Sequence, residues 1–226
     1  MRRLLSAGLF VACVASVGRA QDTTALIAGD AAASAELSKI IEATRANGLP
    51  IDPILAKIRQ AVLFAHTPAP RIVAVARAMS ARLEEARAAL APNPTQLDIA
   101  AGGDALGYKV SAQSLKDIRR VSGNRPVAVP LGVLTQLVTN QVDEKKATKI
   151  VADLIRNGAN SDMLVAYGNQ VSSDVQSGTK PNNAADLRNM GLSAVLGVPG
   201  AAAAANVGDA LTSAGAPTPP PGKKKP

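Results

Sequence analysis

The sequence predicts an all-α protein, and three observations carry that prediction. Apolar residues recur at i, i+3, i+4 and i+7 through most of residues 30–190. Ser, Thr, Asp or Pro stands where each apolar-faced run begins, and Gly or Asn where it ends. Aromatic residues are only 2% of the chain, with no Trp, so the Tyr, Phe and Trp that commonly fill strands are almost missing.

The first element opens at Asp30. Leu37, Ile40, Ile41 and Thr44 form one helical stripe, and Asn47-Gly48 ends it. Asp52 with Pro53 reads as an N-cap followed by proline at N1. That helix carries Ile54, Leu55, Ile58, Ala61, Val62 and Ala65, and His66-Thr67-Pro68-Ala69-Pro70 breaks it. The longest amphipathic run spans about 69–91, with Ile72, Val75, Ala76, Met79, Leu83, Ala86 and Leu90 on its apolar face.

After Pro92-Asn93-Pro94, Thr95 and Asp98 form a start like a capping box. The helix behind them is expected to be weak, since Gly102 and Gly103 each cost about 1 kcal/mol relative to Ala. Ser111 caps a short helix with Leu115, Ile118 and Val121, closed by Ser122-Gly123-Asn124. Residues 127–138 are rich in Val and Leu and would suit a strand by composition. Val133, Leu134, Leu137 and Val138 share a helical face, so a helix from Pro130 is preferred. Asp143 caps a helix ended by Asn157-Gly158. Ser161 is expected to cap the next, ended by Gly178, and a last short helix lies near 182–190.

Eight or nine helices in one domain at 30–190 follow. The stop residues recur about every 16 to 20 positions, and two such units approach the length of a helical-hairpin repeat. Two arrangements fit: a compact multi-helix bundle, or a short solenoid-like array of hairpins.

The ends read differently. Residues 1–20 follow the secretory pattern: Arg2 and Arg3, then an uncharged run from Leu4 to Val17, then small Gly18 and Ala20 before Gln21. Cleavage between Ala20 and Gln21 is expected, because that run is shorter than the roughly 20 residues a spanning helix needs. Residues 21–29 form a leader arm. Phe10-Val11-Ala12-Cys13 loosely resembles a lipobox, but Leu is expected where Phe10 stands. Lipid anchoring at Cys13 is therefore the lesser alternative. Residues 191–226 are Ala, Gly and Pro with few large side chains. They predict a low-complexity, disordered tail ending in Lys223, Lys224 and Lys225.

Composition narrows the function. Of the formal +8 charge, Arg2, Arg3, Arg19 and the three terminal lysines carry six. The body is nearly neutral, which with the scarcity of aromatics argues against nucleic acid. Cys13 is the only cysteine, so the processed chain has neither a disulfide nor a thiolate metal site. His66 is the only histidine and lies in a Pro-rich turn without a Gly-x-Ser-x-Gly elbow, so no catalytic triad is predicted. Glu84 and Glu85 diverge by about 100° on a helix and do not face one substrate. Gly102-Gly103-Asp104-Ala105-Leu106-Gly107 follows a helix rather than a strand and lacks the context of a phosphate loop. Lys145, Lys146, Lys149 and Arg156 read as a solvated face.

No catalytic, cofactor-binding or metal residue is therefore assigned. The expected function is a non-enzymatic, exported interaction or scaffold protein of the periplasm or envelope, with an unidentified protein partner. Two alternatives stand beside it. One is a weak binder of anionic lipid or cell-wall polymer through Lys223–Lys225. The other is an enzyme with a carboxylate-only site.

Overall fold

A computed structural model describes residues 30–65 and 67–197. Among them there are helices and no strand: α1 (Ala31–Ala46), α2 (Asp52–Ala65), α3 (Ala69–Ala89), α4 (Gln96–Gly107), α5 (Ala112–Ser122), α6 (Ala128–Thr139), α7 (Glu144–Arg156), α8 (Ser161–Gln176) and α9 (Pro181–Val195). The chain divides into two compact units, one ending at Ser80 and the other beginning at Ala81.

In the first unit the predicted stripe of α1 is buried, with Leu37, Ile40, Ile41 and Thr44 all inward. Thr44 is the polar member of that stripe. Its hydroxyl donates to Ile40 O at 2.7 Å and lies 2.9 Å from Ser80 Oγ, so burial leaves it satisfied. Asp30 caps α1 by accepting the Ala33 N–H. Ile54, Leu55 and Ile58 of α2 and Ile72, Ala76 and Met79 of α3 are also buried. Arg77 and Glu36 pair at 2.6 Å on the surface, where an ion pair adds little stability.

The second unit buries its core between alternate helices. α4 packs on α6 and α6 on α8; α5 packs on α7 and α7 on α9. Two rows of helices result, joined where α6 meets α7 and α8 meets α9. Leu90, Leu115, Ile118, Leu131, Leu134, Leu137, Val151 and Leu154 belong to one continuous apolar cluster. Tyr167 is buried within it and donates its hydroxyl proton to Ala185 O at 3.0 Å. Burial, aided by the charge of Asp186, pushes that phenol well above the usual tyrosine range.

One link recurs through the chain. After each of α1, α4, α6, α7 and α8 a residue with positive φ is followed by one whose N–H returns to a carbonyl five positions back. The pairs are Leu49 to Thr44, Val110 to Ala105, Val142 to Leu137, Ala159 to Leu154, and Thr179 to Asp174. This is the Schellman closure of a helix end. The residue after the left-handed position is buried at Leu49, Val110, Val142 and Ala159, so each of those links tucks one apolar side chain under its turn.

Several elements depart from the sequence reading. α4 is a continuous helix despite Gly102 and Gly103. A Cβ on Gly102 would stand 2.9 Å from Ala86 Cβ and 3.0 Å from Leu90 Cδ1, so glycine is what permits this approach. α6 starts at Ala128, two residues before Pro130, and α9 runs on to Val195 rather than stopping near 190. The cap of α8 is Asn160, not Ser161: its side chain accepts the Met163 N–H at 2.9 Å. Asp52 lies inside α2, whose first turn is closed by Leu55 N–H to Ile51 O.

Candidate functional site

Acidic or amide side chains tie neighbouring helix starts together in three places: α4 to α6, α5 to α7, and α7 to α9. Asp98 is 1% exposed, at the third position of α4. Its Oδ2 accepts the Thr95 N–H at 3.1 Å, completing the capping box with Thr95. Its Oδ1 accepts the N–H groups of Val127 and Ala128 at 2.7 and 2.9 Å. α6 has no capping side chain of its own, since Val127 occupies the N-cap position, and Asp98 supplies what it lacks.

Glu144 does the same in the other row. It accepts from Ser111 N–H and from Ser114 Oγ, each at 2.7 Å, and Thr148 Oγ1 donates to Ser114 Oγ at 2.9 Å. Burial raises the Glu144 pKa, but the hydrogen bonds from Ser111 and Ser114 and the charge of Lys145 outweigh it. The carboxyl stays below the usual glutamate range. Asn182 Oδ1 accepts the Asp143 N–H at 3.0 Å, tying the start of α9 to that of α7.

The starts of α4, α6 and α8 and the ends of α5 and α7 surround a groove of about 450 Å3. Its walls are mostly apolar: Leu97 from α4, Val129 and Pro130 from α6, Ile155 from α7 and Leu164 from α8. Leu97 and Val129 hold the same second position in their helices, and they stay 73% and 36% exposed. The polar lining comes from Ser122, Arg125, Asn160 and Ser161. Arg125 is the charged residue of that lining, and its Nε donates to Ser122 O at 3.3 Å. Ser122 is 5% exposed, and its Oγ has no hydrogen-bond partner among the described residues. First-turn N–H groups of α8 have no acceptor within their own helix, and Asn160 satisfies the one on Met163.

Three of the four cations on the basic face of α7 form ion pairs. Lys146 meets Asp186 at 2.6 Å, and Asp153 takes both Lys149 and Arg156. Arg188 forms a bidentate pair with Asp174 at 2.7 and 2.8 Å. That pair lowers the Asp174 pKa, against an opposing contribution from burial, and raises that of Arg188.

Gly102, Gly103 and Gly107 all lie within α4, so no loop forms there. Asp98 and Asp104 share that helix, but Asp98 is consumed as a cap. Among the described residues, no group of three or more His, Cys, Asp and Glu side chains is placed to hold a metal ion. No helix among them is long and apolar enough to cross a membrane. Cys13, the Ala20–Gln21 junction, His66 and Lys223–Lys225 all lie outside the described residues.

The sequence reading missed the groove. Leu97, Arg125 and Asn160 come from three separate links between helices, and no local pattern joins them. The one local sign is Pro126 and Pro130 flanking an apolar helix start without a cap. Compared with protein-family models, curated proteins and solved structures, the chain matches none.

Proposed function

We propose that this chain is a non-enzymatic interaction protein that works outside the cytoplasm, in the periplasm or at the envelope. The exposure of Leu97 and Val129 at matching positions of neighbouring helices, on the rim of an open groove, carries this reading. Large apolar side chains left exposed around a concave site are suited to holding a partner. The alternating packing of α4 to α9 is read as a short array of helical hairpins. Such arrays present inter-helix links along one edge as a binding face. On this reading residues 1–20 supply the export signal, and Lys223, Lys224 and Lys225 add weak attraction to anionic surfaces.

The test is photocrosslinking in the native cells, with the reactive residue placed in turn at Leu97, Val129 and Leu63. Leu63 is a control on α2, 60% exposed and away from the groove residues in sequence. One shared adduct at positions 97 and 129, absent at 63, is expected. The same adducts at all three positions, or none, would refute the reading. N-terminal sequencing of the exported form should begin at Gln21.

A further inference from the structure

The last described helix, α9, has two apolar faces. Ala184 and Ala185 are buried, and Leu192 and Leu196 pack against the core. On the other side Leu187, Met190, Gly191, Ala194 and Val195 fall at i, i+3, i+4, i+7 and i+8, a second helical stripe without a charge. Leu187, Met190 and Val195 are exposed, and a Cβ on Gly191 would meet nothing within 4 Å. Helices inside the array pack on later helices as well as earlier ones. α9 packs on α7 and α8, and no described helix follows it. The end of a stacked helical array needs a polar outer face, and α9 presents the opposite.

The link after α9 repeats the ones before it. Gly197 has φ 72°, and its N–H returns to Ala194 O at 3.1 Å, as Gly158 N–H does to Ile155 O and Gly178 N–H to Val175 O. After α4, α6, α7 and α8 the next helix opens at the third residue past the left-handed one. Ala112 thus follows Lys109, Glu144 follows Gln141, Ser161 follows Gly158 and Pro181 follows Gly178. The same count from Gly197 reaches Gly200. Residues 198–226 lie outside the described residues, and their sequence continues the pattern. Val198 stands where Val110, Val142 and Ala159 are buried. Beyond it Ala204, Val207, Gly208 and Leu211 share one helical side, with Asn206, Asp209 and Ser213 opposite.

We infer that residues 200–212 of this same chain form the next helix of the array and cover the outer face of α9. In an antiparallel hairpin about the Gly197 link, Val207 lies against Met190 and Leu211 against Leu187. Small Ala204 and Gly208 let the two helices approach closely. A second copy of the chain would have to displace a segment that its short link holds at an effective concentration on the order of millimolar. The cover is needed whether or not the groove holds a partner.

The experiment uses the full chain carrying Cys13→Ser, which removes the only native cysteine. Met190→Cys with Val207→Cys places both thiols on the facing stripes. Met190→Cys with Asn206→Cys differs by one residue in reach but turns the second thiol about 100° away. Under copper–phenanthroline the first pair is expected to close an intrachain disulfide about tenfold faster than the second, because the bond needs closely facing Cβ atoms. Separately, Val207→Asp should lower the urea midpoint, since it puts a charge into an apolar contact, and Asn206→Asp should leave it in place.

Equal rates for the two pairs, a faster second pair, or no bond in either overturns the inference, as does an unchanged midpoint for Val207→Asp. A disulfide-linked dimer of the Met190→Cys single variant, formed as fast as the intrachain bond, overturns it too and assigns the face to a second copy.

Discussion

Asp98 Oδ1 lies 2.7 Å from the backbone nitrogen of Val127, so a residue of α4 caps a helix that begins 29 positions later. The same oxygen holds Ala128, and the second oxygen holds Thr95. Replacing it by Ala leaves three N–H groups without their acceptor, two of them at a buried helix junction. Asp98→Ala should cost about 2–4 kcal/mol, combining a lost cap with buried unsatisfied donors. Urea unfolding measures it: the midpoint should fall while the slope stays unchanged. A loss below about 1 kcal/mol would mean that α6 starts without help from α4.

Two glycines within helices of the second unit should respond to Ala in opposite directions. At exposed Gly132 a new Cβ meets nothing within 4 Å, so Gly132→Ala should stabilise by about 0.5–1 kcal/mol through helix propensity. At buried Gly102 the same Cβ meets Ala86 Cβ at 2.9 Å and Leu115 Cδ2 at 3.2 Å. Gly102→Ala should destabilise by about 1–3 kcal/mol through overpacking. Thermal melts of both variants decide this, and shifts of the same sign would overturn the packing argument for α4.

That contrast shows what was legible in the sequence. Helical class, most helix starts and the buried stripe of α1 follow from local periodicity and capping residues, and the structure has them. Gly102 reads as a flaw in a helix because its reason lies on α3 and α5, which local pattern does not place beside it. The start of α6 is read two residues late, at Pro130, for the same reason, since the cap at Val127 is a side chain from α4. The groove is the extreme case: its lining comes from links and ends that meet only when alternate helices stack.

The left-handed link positions give a third prediction. Gln141 has φ 65°, a conformation that costs a side-chain-bearing residue about 1–2 kcal/mol. Gly158 occupies the equivalent place one link later, at φ 88°. Gln141→Gly should therefore gain about 0.5–1 kcal/mol, after the entropy that glycine adds to the unfolded chain. Gly158→Ala should lose about 1 kcal/mol. Paired chemical denaturation of the two variants tests whether the links are equivalent. A loss at Gln141 would show that its side chain supports the turn.

The Asp174–Arg188 pair sets an acid limit. Hydrogen bonds from Arg188 hold the Asp174 carboxyl below its ordinary range in the folded protein. A group whose pKa is depressed on folding contributes stability that is fully present above its unfolded value. The contribution disappears as pH falls through the folded value. Glu144, also depressed, adds in the same direction. Stability against urea should thus be flat in these contributions from pH 7 to about 5 and decline below about pH 4. Asp174→Asn should be weaker than the parent at pH 7, because it keeps one acceptor but loses the charge that Arg188 meets in both hydrogen bonds. At low pH the parent's own Asp174 is protonated, so the difference between the two proteins should shrink toward zero. A difference equally large at pH 3 and pH 7 would mean that the side chain acts by shape rather than by charge.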